Sequence, residues 1–428
     1  GGAGRMAAGA GGMVVGGTGW TLARVLRVRA RRHAGEDRLW RNIALAATRH
    51  PVILGGGVAI MLLLLAAPFL HARFGIADER ILPASAESHA TARRINRHFT
   101  HVPDRDVKIV LPRTKAADGK IDAYARRLAA VPRVTGVRTV TGAYHGTTRK
   151  APGKGEAARY QAGGAKLLTV STGVPPQSKA AEQVLRDLRR VPAPGPRLLT
   201  GRSAQVSDTL SAMGDALPYA AAIIAGATLV LLFLFVGGVL VAVKALVLGA
   251  LSLGASCGAI VAVFQDGHLR GLVGAFTLTG RLEAMTLLIT FTVAFGLSMD
   301  YEVFLLSRIK ERYTATGDHT GAVVSGIAGT GRLVTAAASV IALSTGFLVT
   351  SGNTVLKMNG LGLALAVLMD ATVVRGVLVP AFMQVTGKAN WWAPAPLARL
   401  HRRVGLTETS APPPGGRLRR ALRAFGMS

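Results

Sequence analysis

The chain is short of cysteine, aromatic residues and acidic residues, and each shortage removes a class of function. Cys257 is the only cysteine and stands inside an apolar run, so no intrachain disulfide can form and any extracytoplasmic region must fold on its own core. Aromatic residues make up 5% of the 428 positions. No recognition helix or base-stacking motif accompanies the positive charge, so nucleic acid is not an expected partner, although basic stripes do neutralise phosphates. Enzymatic signatures are missing as well: there is no G-x-S-x-G, no H-E-x-x-H and no zinc-spaced Cys/His cluster. The nearest approach to a phosphate-binding loop, Gly326 to Leu333, places Arg332 and Leu333 where Lys and Ser/Thr are required, and is read as a chance match. No enzymatic activity, cofactor or metal is expected.

What the chain does have is apolar sequence and positive charge. Half of its residues are hydrophobic, yet 51 Lys and Arg against 22 Asp and Glu give a net charge of +29. Soluble globular domains rarely combine the two. The apolar residues fall into runs of about 20, the length that crosses a hydrocarbon core of roughly 30 Å. Six spans are predicted, at 51–70, 216–236, 239–264, 284–307, 332–351 and 358–384. Alternating them brings the basic segments to one side: Arg24 to Arg49, Lys244, the group Arg308, Lys310 and Arg312, and the tail from Lys388 to Arg423. Positive loops stay inside, so both termini are expected to be cytoplasmic. The opposite side then carries residues 71–215, the loop Gln265 to Arg281 and the turn Ser351 to Lys357.

The first span is not read as a signal peptide, because its basic flank is too long and no small-x-small site closes it. The chain begins with Gly1 rather than methionine, which reads as a truncated start. Arg outnumbers Lys several-fold among many Ala and Gly, the composition of a GC-rich bacterial genome, so the expected location is a bacterial inner or plasma membrane. The resulting division is a truncated arm and basic linker over 1–50, a membrane helix over 51–70, an extracytoplasmic domain over 71–215, five membrane helices over 216–386 and a basic cytoplasmic tail over 387–428.

Residues 71–215 are long enough to form a domain. Alternation at Val107, Ile109 and Leu111 predicts a strand, and Ile121, Tyr124, Ala125 and Leu128 mark the apolar face of a helix. Strands follow at Val134 to Val140 and Lys166 to Ser171, then a helix at Glu182 to Arg190 and a short strand at Arg197 to Thr200. The order βαββαβ is that of a ferredoxin-like α+β unit. The Gly/Lys-rich stretch Gly142 to Gly164 is expected to be a mobile loop in the middle hairpin.

Ionisable residues inside spans carry the most information. A charge at mid-bilayer costs roughly 3 kcal/mol or more and persists for function or for tight pairing. Three stand out: Asp300 in the fourth span, and Asp370 and Arg375 in the last. Asp300 suits a proton carrier, since a carboxylate in a low-dielectric bundle can load and release protons and the adjacent Tyr301 hydroxyl can bond to either form. Gly296, one turn earlier, would let a helix or a water file approach. The alternative is a structural aspartate clamped by a neighbouring helix. Asp370 and Arg375 are five apart and do not stack on one α-helical face, but their long side chains could still meet. An ion pair pinning the last helix accounts for both without transport, and a transport role is the alternative. Thr335 and Ser339 share a face, where they could pass protons or bond back to their own helix. Ala250, Gly254, Gly258 and Ala262 form a small-residue stripe that suits a close helix contact.

The stretch Gly296 to Tyr313, reading GLSMDYEVFLLSRIKERY, resembles the MMPL family, the mycobacterial-type large membrane proteins of the RND superfamily. Phe264 to His268, Thr330 to Arg332, Gly360 to Ala364 followed by Met369 to Arg375, and Gly387 to Trp392 resemble the second half of the same family, over about residues 38–405. The resemblance implies one of two similar halves, each with one span, a porter-type domain and five further spans. It implies that Asp300 and Tyr301 form this half's contribution to a proton relay in which the Asp of each half faces the Tyr of the other. It further implies proton-motive-force-driven export of lipids, lipid-linked metabolites or drugs. The implied partners are membrane lipids, a hydrophobic or amphipathic exported substrate, and the missing N-terminal half or a second copy. The competing readings are a non-transporting lipid-sensing or accessory subunit and an inactive gene fragment.

Overall fold

The structure, a computed structural model, describes residues 38–99 and 101–404. The arm over 1–37 and the tail from 405, Arg423 included, lie outside the described residues. Among the described residues, six helical stretches are long and apolar enough to cross a membrane: Pro51–His71, Arg202–Val236, Val239–Gln265, Ala284–Thr316, His319–Thr350 and Thr354–Trp391.

A helix α1 over 38–49 leads into α2 (Pro51–Ala66), where Pro51 supplies a preset φ at the helix start and leaves no amide orphaned. The sequence of α2 is apolar all round, the signature of a helix whose surroundings are themselves apolar. After β1 (Phe74–Gly75) and α3 (Glu87–His98) comes a sheet domain. Its elements are β2 (Val107–Leu111), α4 (Asp118–Ala129), β3 (Val134–Thr139), β4 (Gly142–His145), β5 (Thr148–Lys150), β6 (Gln161–Ala162), β7 (Ala165–Thr172), α5 (Lys179–Arg190) and β8 (Leu198–Thr200). The strand order is β5-β4-β3-β7-β2-β8, with β6 on β7, and every pairing in it is antiparallel. On β2 the alternation works as period-2 geometry requires: Val107, Ile109 and Leu111 are buried and Lys108 is exposed. They meet Ile121, Tyr124 and Leu128 of α4 and Leu185 and Leu188 of α5 in one core. Contrary to expectation, Gly142 to Gly164 is not a mobile loop. Much of it extends the sheet as β4, β5 and β6, because Gly142 at φ 133° turns β3 into β4 where a side chain would strike the Lys150 carbonyl.

The chain returns to the bundle as α6 (Arg202–Val236), α7 (Val239–Ile260), a short α8 (Arg270–Val273), β9 (Leu282–Glu283), α9 (Ala284–Thr316), α10 (His319–Gly346), α11 (Thr354–Met369), α12 (Val379–Thr386) and α13 (Ala395–Val404). At 35 residues α6 is about 52 Å long, well beyond a hydrocarbon core. Its first half therefore belongs to the sheet domain, and apolar content alone located only its second half. The α10 helix starts well before the expected 332 because Gly317 ends α9 in the left-handed region and the Asp318 side chain caps the Gly321 amide.

The two ends of the bundle differ in what they carry. At one end β1 pairs with β9, the Gln177 side chain bonds both the amide and the carbonyl of Ile76, and Arg281 lies 3.2 Å from Glu182, which docks the sheet domain on the helices. At the other end Tyr313 stacks on Trp391 and His401 of α13 packs edge-on against Phe233. Small residues set the closest contacts. A side chain at Gly258 would strike the backbone of Leu65 and Ala66, so the small-residue stripe is where α7 meets the first span. Trp40 of α1 fills a notch made by Gly331 and Gly376, where a Cβ would come within 2.6 and 2.9 Å of its indole.

Candidate functional site

Four ionisable side chains are buried between α7, α9 and the last span: Lys244, Glu302, Asp370 and Arg375. Asp370 and Arg375 form an ion pair at 2.9 Å. The expectation that residues five apart do not stack fails here because Asp370–Leu378 is a π-helical stretch, whose i→i+5 repeat brings the two onto one face. Arg375 Nη2 also donates to the Ser298 carbonyl at 2.8 Å, and the Ser298 hydroxyl donates to Asp370 Oδ1 at 2.9 Å. The remaining Arg375 nitrogens, Nε and Nη1, have no hydrogen-bond partner among the described residues. The guanidinium instead lies over the Tyr301 ring, 5.0 Å from its centre, which partly compensates the desolvated charge. Losing one member of such a buried pair costs about 3–5 kcal/mol, since the other is left uncompensated.

Lys244 and Glu302 are not among the candidates that the sequence singles out. Lys244 reads there as a marker of the turn before α7, but its side chain is wholly buried and its Nζ lies 3.0 Å from Glu302 Oε1. The approach satisfies neither atom as an aligned hydrogen bond. The signal was available, since Glu302 falls inside the fourth span and Lys244 inside the third.

Asp300 takes the opposite position. It lies about 24 Å along α9 from Ala284, a depth matched by Asp370 along α11 from Thr354. Two residues are about 200° of helical rotation, so Glu302 points into the bundle while Asp300 is exposed on its side. No ion pair or hydrogen bond of the Asp300 side chain occurs among the described residues. A Cβ at Gly296 would meet nothing within 4 Å, so this strip of α9 is uncovered by the chain's own helices. Tyr301, half-buried, joins the Arg375 side of the cluster. Thr335 bonds back to the Gly331 carbonyl at 2.6 Å, which ties up its proton, and Ser339 is half-buried on the same helix. The Gly326 to Leu333 stretch is helical throughout and cannot cradle a phosphate. Among the described residues, no three His, Cys, Asp or Glu side chains group closely enough to hold a metal ion.

Outside the membrane helices two carboxylates are electrostatically distinctive. The hydrogen bond from the Tyr144 hydroxyl, working against burial and joined by Arg126, holds the Asp122 carboxyl below its usual range. Burial pushes Asp266 up, but hydrogen bonds from His71 and Gln265 outweigh it and leave that carboxyl low. Gln265 also accepts from the Arg73 amide at 2.7 Å and donates to the His71 carbonyl at 3.2 Å, so the Phe264 to His268 motif fastens the end of the first span to the end of the third.

Six apolar helices around a buried charge network, with a sheet domain inserted after the first, define a polytopic helical membrane protein. The model of the MMPL family matches residues 80–414. Similar proteins include membrane protein SCO6666 of Streptomyces coelicolor, 39% identical over 378 residues that make up 88% of this chain and 50% of that protein. The trehalose monomycolate exporter MmpL3 of Mycolicibacterium smegmatis is 29% identical over 399 residues, 92% of this chain and 38% of the exporter. Membrane protein YdfJ of Bacillus subtilis is 27% identical over 363 residues, 84% of this chain and 48% of its relative. The chain belongs to the MMPL family, and it spans half or less of the length of these relatives.

Proposed function

We propose that this chain works in proton-motive-force-driven export of lipids, lipid-linked metabolites or drugs, with Asp300 and Tyr301 as its share of a proton relay completed by a companion bundle or a second copy. The observation that carries this reading is the exposure of Asp300 at mid-span beside the uncovered strip at Gly296. An ionised carboxylate facing lipid is costly, so its stable position is against a partner. In this reading the companion's Tyr hydroxyl meets Asp300, and Tyr301, held under Arg375, meets the companion's Asp. The MmpL3 exporters among the relatives support a lipidic substrate.

The strand order of β8, β2, β7 and β3, with α4 and α5 as crossovers, supports reading the sheet domain as ferredoxin-like and porter-type. The basic end, with Arg308 and Lys310 on α9 and Arg402 and Arg403 on α13, supports placing it and both termini in the cytoplasm. The test is uptake of a fluorescent lipid analogue into inverted vesicles under an imposed pH gradient. The chain is reconstituted with the segment of an MMPL relative that it does not cover. Asp300→Asn should abolish gradient-dependent uptake while the protein still inserts; full uptake by that variant would sink the reading.

A further inference from the structure

We propose that Glu302, held by Lys244, is a second proton-binding site of this chain, separate from Asp300, that takes the relay's proton on its way to the basic end of the bundle. The inference rests on the proton-coupled reading above and adds a site to it. Both side chains are more than nine-tenths buried, 3.0 Å apart, and among the described residues neither Lys244 Nζ nor Glu302 Oε1 has an aligned hydrogen-bond partner. An ion pair that merely pins two helices offsets its desolvation with further hydrogen bonds. The neighbouring Asp370–Arg375 pair does so through the Ser298 hydroxyl and carbonyl. Among the described residues Lys244 and Glu302 have no such support, so the pair is held by little except each other and the charges nearby.

Those charges are Arg375, over the Tyr301 ring, and Asp370, bonded by the hydroxyl of Ser298 one turn before Glu302 on α9. The order along the bundle also gives a direction. Asp370 and Asp300 lie at matching depth, Glu302 lies further along α9, and Lys244 sits only about 7.5 Å from the start of α7 at the basic end. An arriving proton bonds to a Glu302 carboxylate oxygen and raises the charge of the Lys244–Glu302 pair from zero to plus one. Its release toward the basic end restores zero, and no other reactant is consumed.

The test is infrared difference spectroscopy of the full chain in neutral-phospholipid vesicles, stepped between acidic and alkaline baths, reading the band of protonated carboxyl groups. Glu302→Gln should remove one component of that band, and Lys244→Met should move the pH at which this component appears. Asp300→Asn should leave the Glu302 component in place. A band identical in wild type and Glu302→Gln overturns the proposal, as does a Lys244→Met profile that superimposes on wild type. Failure of the relay reading looks different: there the partnered protein keeps gradient-dependent uptake in the Asp300→Asn variant while the Glu302 component still titrates. Should a single variant not fold, the pair Lys244→Met with Glu302→Gln leaves no lone buried charge. That double variant must lack the component, and its persistence would refute the site.

Discussion

Replacing Arg375 with methionine isolates the energetic core of the site. The substitution removes the 2.9 Å contact to Asp370 Oδ2, the 2.8 Å bond to the Ser298 carbonyl and the cation over Tyr301. Asp370 is left buried with only the Ser298 hydroxyl at 2.9 Å. One stranded buried charge costs about 3–5 kcal/mol, a large part of the roughly 5–15 kcal/mol that holds a typical folded domain. Asp370→Leu alone should cost a similar amount by stranding Arg375. The double variant removes both charges and should return to within about 1 kcal/mol of wild type or exceed it. Cys257 provides the assay, because the only thiol in the sequence is buried in α7 and reacts with a fluorogenic maleimide once the bundle opens on heating. Melting of the single variants at the wild-type temperature would refute the reasoning, and so would a double variant that melts as low as the worse single.

Other outcomes follow from the same geometry. Tyr301→Phe keeps the ring under Arg375 and should melt as wild type while impairing transport, whereas Tyr301→Leu should also lose about 0.5–2 kcal/mol in the same thiol assay. Gly258→Val, whose side chain meets the Leu65 backbone, should cost at least about 1–3 kcal/mol and expose Cys257 at lower temperature; Gly57→Ala, with open space around it, should not. Acid should loosen the sheet domain. The Asp122 carboxyl is lowered on folding, so its contribution is complete above its unfolded value near 4 and is lost as pH falls toward the folded value. Tyr144→Phe should therefore flatten the acid limb of the domain's stability, read by protease sensitivity against pH, and an unchanged limb would contradict it. Cysteines placed at Lys154 and Ala315 in a Cys257→Ala background should label from opposite sides of the membrane, and labelling from one side would overturn the proposed topology.

Much of this was legible in the sequence for reasons that can be named. Runs of apolar residues located the six helices, because length and hydropathy are what a hydrocarbon core selects. Their ends were less legible: the start of α10 depends on Asp318 capping Gly321, and that of α6 on a first half packed with the sheet domain. Alternation at Val107, Ile109 and Leu111 marked a real strand, while the glycines of 142–164 concealed three short ones. In the candidate site, Asp370 and Arg375 were identifiable as intramembrane charges. Their pairing was legible too, but not the π-helical stretch that brings them onto one face, since that cannot be read from a spacing measured on an α-helix. Lys244 reads as a turn marker from its position alone, because burial depends on which helix faces it, and that helix brings Glu302.

The central claim is that Asp300 needs a facing bundle to carry protons. It is tested most directly by following acidification with a luminal pH dye in vesicles holding this chain alone as a mass-verified monomer, this chain as a dimer, or this chain with the uncovered segment of an MMPL relative. Proton flux should be absent from the monomer, present in the partnered protein and abolished there by Asp300→Asn. A monomer that carries protons at the partnered rate, or a partnered Asp300→Asn protein that does so, would contradict the account.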